Sequence, residues 1–189
     1  MRTPAIAALL AAALALAAFA PAGQPDPKRR PGMITADVDF AMRELCFPWV
    51  KGEGTVEALA DRQGIVEDRS GPAWAAGARA WWVGRPILTV AMGFAPGGAR
   101  TCTLRVERGD AVKLRAALDG AMAGWRTTMV PAAGQIPARG YADREVLCAP
   151  KDGPQDTLLI STGGRGAPVA MMVTLMALET RARRCDIAG

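Results

Sequence analysis

Residues Arg79 to Glu107 read RAWWVGRPILTVAMGFAPGGARTCTLRVE, and this stretch decides the fold. Leu88, Val90, Met92 and Phe94 recur every second residue, with Thr89, Ala91 and Gly93 between them. That alternation is the period of a strand with one face turned inward. Cys102, Leu104 and Val106 repeat the pattern, against Thr101, Thr103, Arg105 and Glu107, whose face reads as solvent-facing. Arg79 to Val83 forms a third strand. Gly84-Arg85-Pro86 and Ala95-Pro96-Gly97-Gly98 are turns between them. The stretch therefore predicts a three-stranded meander with one buried side and Cys102 pointing into it.

Helices precede and follow the meander. Val38, Ala41, Met42, Leu45, Cys46 and Trp49 fall on one helical stripe. Thr35 is the expected cap, and Pro48 is expected to end the helix because it has no amide hydrogen to donate. A short helix capped by Thr55 runs to Gln63. Asp110 caps a third helix from Ala111 to about Trp125, with Leu114, Leu118, Ala121 and Met122 inward. A second meander follows over Tyr141 to Ala149, Thr157 to Thr162 and Val169 to Leu178. The last of these is apolar on both faces, which suits a central strand; a buried helix is the alternative. The class is α+β: two helix-plus-three-strand-meander units, 34–107 and 108–189, forming an antiparallel sheet with helices packed on one face. No residue-level repeat accompanies the recurring order.

The amino terminus reads as an export signal. Arg2 precedes an apolar run from Ala5 to Ala20, and Ala20-Pro21-Ala22 offers small residues for cleavage after Ala22. The run is shorter than the roughly 20 residues that span a bilayer. Residues 1–22 are thus expected to be a signal peptide, 23–33 a disordered leader with three prolines and Lys28-Arg29-Arg30, and 34–189 one domain. No later segment is long and apolar enough to span a membrane. With Arg2 removed, 22 basic and 18 acidic residues leave a net charge of +4. The basic residues are scattered rather than gathered into a nucleic-acid patch.

Cys46, Cys102, Cys148 and Cys185 form no C-x-x-C, so neither a dithiol redox site nor a zinc knuckle is indicated. An even number in an exported chain predicts two disulfides. Cys102 faces inward from a strand and Cys46 ends the helix that packs on it. Cys148 ends a strand of the second meander, and Cys185 follows the last strand of the same meander. The expected pairs are Cys46–Cys102 and Cys148–Cys185.

The chain has no histidine, which removes Ser-His-Asp and Cys-His nucleophilic sites and nearly all catalytic zinc sites. Its two serines, Ser70 and Ser161, lie outside any G-x-S-x-G. Carboxylate chemistry survives, with Asp143 and Glu145 or Asp37 and Asp39 as the candidate pairs. A solvated strand face and a dipole-favourable helix start are the favoured explanations of those pairs. Ser161 to Gly166 is rich in glycine, but it joins two strands, whereas phosphate loops lead into a helix. Trp81-Trp82 between Arg79 and Arg85 is the candidate contact surface, if one ring is buried and the other exposed beside arginines; both rings covered by helix or loop is the favoured alternative. No metal or cofactor is called for.

Cys46-x-Pro48-x-Val50 after an amphipathic helix, the glycine loop that follows and the widely spaced later cysteines resemble small uncharacterised exported proteins of Gram-negative bacteria, some of them lipoproteins. The resemblance covers Phe40 to Trp125 and implies a periplasmic or secreted location. The reading favoured by the sequence is a non-enzymatic module that binds another envelope protein or an envelope component. A secreted inhibitor or effector, and a carboxylate-dependent hydrolase, are the alternatives.

Overall fold

In the computed structural model, a helical segment runs from Ile34 to Lys51 and packs across one face of an antiparallel sheet. The structure describes residues 33–63, 65–69, 77–123, 125, 129–131, 143–149, 156–163 and 168–178. Helix α1 spans Ile34–Phe40, a π-helical turn follows over Ala41–Cys46, and α2 spans Phe47–Lys51. Then come α3 (Val56–Gln63), β1 (Val66–Glu67), β2 (Arg79–Trp82), β3 (Leu88–Phe94), β4 (Arg100–Val106) and α4 (Ala111–Met122). The chain continues through β5 (Val130–Pro131), β6 (Asp143–Cys148), β7 (Asp156–Gly163) and β8 (Met171–Leu178).

Pro48 does not end the first helix. The amide of Phe47 bonds to the carbonyl of Met42, five residues back, so the turn just before the proline is widened. A proline inside a helix lacks one donor and crowds the carbonyl four residues earlier. The wider i→i+5 register makes room for it, and the helix continues to Lys51. It stops at Gly52, whose φ of 84° is left-handed. The amides of Gly52 and Glu53 return to the carbonyls of Trp49 and Pro48 at 3.0 and 2.8 Å, a Schellman closure. Nor does Thr35 cap α1: the N-cap is Met33, with no side-chain bond. Thr55 and Asp110 do cap as expected, accepting from Ala58 and from Val112 and Lys113.

The sheet runs β1-β2-β3-β4-β8-β7-β6-β5, with every pair antiparallel. The two meanders, β2-β3-β4 and β6-β7-β8, therefore meet through their last strands. Thr103 and Thr174 face one another across that seam with their hydroxyls 3.1 Å apart. Val169–Leu178 resolves as a central strand, between β4 and β7. Each edge of this order ends in a strand of two residues, too short to recruit another chain's edge.

The register assigns every row to a face. Trp81, Val90, Leu104 and Val173 form one row, and Met92, Cys102 and Leu175 the next. All are buried beneath α1, α2 and α4 in a core that includes Val38, Met42, Leu45, Leu114 and Leu118. The Cys46–Cys102 disulfide ties the π-helical turn to β4 within this core. Arg115 ties α4 to the sheet, reaching Asp119 at 2.8 Å and Glu145 of β6 at 2.6 Å. Burial alone would lower the Arg115 pKa; the bond to Asp119 and the charge of Glu145 outweigh it and raise it.

The opposite face is not the solvent face that the alternation in β4 predicted. Ala80, Thr89, Ala91, Val146 and Cys148 are all buried there. Thr101, Thr103 and Arg105 are partly buried rather than open. Strand β3 is buried on both sides because its outer positions hold small residues, Thr89, Ala91 and Gly93. Cys148 is disulfide-bonded on this second face; its expected partner Cys185, like Trp74, lies outside the described residues. The expected signal peptide and leader also lie outside them, apart from Met33.

Candidate functional site

The four residues singled out in the sequence do not share one surface. Adjacent strand positions point to opposite faces. Trp81 is 3 % exposed on the helix face, whereas Trp82 is partly buried on the other. Arg79 lies on the helix face with its guanidinium carbon 5.2 Å from the Trp81 ring centre. Arg85 is exposed in the turn at the far end of β2. The tight turn there is set by Gly84, which has φ +71° and sits against the Asp37 carboxylate.

Arg79 instead belongs to a cleft of about 290 Å³ at the other end of the strands. The walls are α2 and the loop leading into α3 on one side, and the start of β2, the end of β3 and the start of β4 on the other. Trp49, Phe94, Arg79, Arg100 and Glu57 line it. Phe94 is directly paired with Arg100 across the β3–β4 hairpin. The turn of that hairpin depends on Gly97 and Gly98, with φ of 95° and 86°. Phe94 follows the inward alternation of Leu88, Val90 and Met92, but the sheet runs out from under the helices there. Its ring is left 49 % exposed.

Trp49 backs the cleft. Its indole N–H donates to the carbonyl of Thr101 at 2.9 Å, which fixes the ring against β4. Phe94 meets it edge-on at 5.3 Å between centroids, an arrangement favoured by the aromatic quadrupoles. The Arg100 guanidinium lies over the Trp49 ring at 4.5 Å. Its Nη1 donates to the carbonyls of Trp49 and Gly54 at 3.2 and 3.3 Å. The Nε–Nη2 edge of Arg100 makes no bond among the described residues. A carboxylate grips this kind of edge with two parallel N–H groups.

Arg79 is committed elsewhere. It reaches Glu57 at 2.6 Å and Glu67 at 2.9 Å, and Arg69 reaches Glu67 at 3.0 Å. The backbone amide at the start of α3, followed by Arg79, holds the Glu57 carboxyl below its ordinary range. Arg79 and then Arg69 do the same for Glu67. The bond from Glu67 leads the effects that raise the Arg79 pKa. Two arginines and two glutamates thus balance, and among the described residues Arg100 makes no ion pair.

The Asp37 and Asp39 side chains point apart. Asp37 is 8 % exposed beneath Gly84, while Asp39 faces outward and bonds Arg43 at 2.7 Å. Glu145 is engaged by Arg115, and the Asp143 side chain lies outside the described residues. Among the described residues, no group of three or more metal-ligating side chains forms, and no helix is long and apolar enough to cross a membrane.

The chain matches no protein-family model, no curated protein and no solved structure at a significant level. The cleft therefore has to be read from its own chemistry. The sequence did carry a pointer to it. Trp49 lies three residues after Cys46 and Arg100 two residues before Cys102, so the expected disulfide already placed tryptophan and arginine side by side.

Proposed function

We propose that this chain is an exported binding module without catalytic activity, and that it holds its partner in the Trp49–Phe94–Arg100 cleft. The carrying observation is the half-exposed Phe94 ring paired across the hairpin with an arginine that bonds no carboxylate among the described residues. Aromatic residues and arginine dominate binding energy at protein contacts. A buried disulfide supports an oxidising compartment, and with the export signal expected over residues 1–22 it favours the periplasm or the exterior. The separation of Asp37 from Asp39, and the engagement of Glu145 by Arg115, favour binding over carboxylate hydrolysis, which needs two carboxyl groups converging on one bond.

The test is affinity capture from a native envelope extract with the wild-type protein, Phe94→Ala and Arg100→Gln, with circular dichroism confirming that each folds. Loss of the same captured partner in both variants supports the cleft. Undiminished capture by both removes it as the binding site.

A further inference from the structure

We propose that the cleft takes the free carboxyl terminus of a peptide whose last side chain is apolar. This inference rests on the binding-module reading and gives its ligand a chemistry. Arg100 presents an Nε–Nη2 edge that no carboxylate occupies among the described residues. Its other nitrogen is anchored by two backbone carbonyls, and its plane is backed by Trp49. The fork is thus already oriented, and little conformational freedom remains to be lost on binding. Arg79 does not compete for the same anion, because Glu57 and Glu67 hold it.

Phe94 sits directly across the hairpin from Arg100, and residues so paired lie about 5 Å apart at their Cβ atoms. A ligand touching both must carry an anion and an apolar group on neighbouring atoms. A carboxy-terminal residue has its carboxylate and its side chain on the same carbon. An internal aspartate or glutamate carries its carboxylate at the end of its own side chain and must borrow apolar contact from a neighbour. A volume of about 290 Å³ lies at the lower end for ligand pockets, about 300–1,000 Å³. That suits one or two residues at a chain end rather than a folded surface.

The test is isothermal titration of the purified protein with four peptides. They are acetyl-Gly-Ala-Phe as the free acid, the same peptide as its amide, acetyl-Gly-Ala-Ala as the free acid, and acetyl-Gly-Phe-Asp-Gly as its amide. The phenylalanine acid is expected to bind best, with the amide weaker by about tenfold or more, the scale of a charge-assisted hydrogen-bond pair. The alanine acid is expected to lose affinity through Phe94. Arg100→Gln is expected to abolish the preference for acid over amide, and Phe94→Ala the preference for phenylalanine over alanine. Equal binding of acid and amide by the wild-type protein, absence of binding by all four, or equal binding of the internal aspartate peptide overturns the inference. None of these requires a variant to fold. If envelope capture depends on Phe94 and Arg100 while acid and amide do not differ, the ligand class is wrong and the binding module stands. If capture is indifferent to both residues as well, both readings fall.

Discussion

Breaking the Cys46–Cys102 bond is expected to remove a large part of the stability of this domain. The cysteines are 56 residues apart in sequence. In the loop-entropy account, releasing a loop of that size costs about 4 kcal/mol at 25 °C. Domains of ordinary size are stable by about 5–15 kcal/mol. Cys46→Ala/Cys102→Ala is the clean perturbation, since both positions are buried and alanine suits the helix. With a urea slope of about 2 kcal/mol per molar, the unfolding midpoint should fall by about 2 M. The assay is urea unfolding followed by tryptophan fluorescence, repeated by far-ultraviolet circular dichroism to verify a single transition. A midpoint shift under about 0.5 M with an unchanged slope refutes the reasoning. It would mean that the helix-to-sheet packing, not the crosslink, constrains the chain.

Three further outcomes follow from local geometry. Gly84→Ala places a Cβ against the Asp37 carboxylate at a φ of +71°; it should destabilise by about 2 kcal/mol, and by less in an Asp37→Ala background, as a double-mutant cycle in urea would measure. Gly93→Ala brings a Cβ to 2.7 Å from the backbone of Ala78 and should cost about 1–3 kcal/mol, with hydrogen exchange rising in β2 before the rest of the sheet. Glu57 and Glu67 have lowered pKa values in the fold, so their contribution is full above the ordinary 4.5 and is lost as pH falls through the lowered values. Arg79→Ala should return both carboxyls toward 4.5, read by carboxyl carbon titration in NMR, and should flatten stability across that acidic window; unshifted titrations would show that Arg79 is not the cause.

The first meander was legible because its alternation, its two glycine turns and its cysteine agree with one another. Strands β2, β3 and β4 fall within a residue or two of the positions the pattern implies. What the pattern missed was the second buried face. Thr101, Thr103 and Arg105 look solvent-facing because polar side chains alternate there, yet pattern alone does not report what lies above a strand. Ala80, Ala91, Thr103, Thr174 and Val146 belong to one row across the sheet, and of these Ala80, Ala91 and Val146 are buried while the two threonines are partly so. The continuation of the first helix past Pro48 was also hidden. Proline usually stops a helix, and the widened turn before it lets this one run on to Lys51. The candidate site was half legible. Arg79 is singled out by the pattern and lines the cleft; Trp49 falls on the inward helical stripe, Phe94 on the inward strand face, and Arg100 just before the strand that the alternation marks. Strand alternation assigns a face to Phe94 but cannot say where along the strand that face ceases to be covered.

The two walls of the cleft are held by forces of unequal strength, which bears on how a ligand would enter. Trp49 and Arg100 stand on a wall closed by the Cys46–Cys102 bond, by the indole bond to Thr101 and by two guanidinium bonds to carbonyls. The opposing side, Glu57 of α3 and Arg79 of β2, is joined by ion pairs between exposed groups. Such pairs are screened by water and weaken with salt. Helix α3 is short and touches the rest of the fold chiefly through Val56, Leu59 and Ala60. Those three side chains are buried in the core, so apolar packing as well as the ion pair holds α3 in place. On the proposed reading, Arg100 would meet an arriving carboxylate in an orientation fixed beforehand by Trp49 and two backbone carbonyls, and ligand preference would be set by Arg100 and Phe94. Salt would then weaken the Glu57–Arg79 side of the cleft more than the Trp49–Arg100 side.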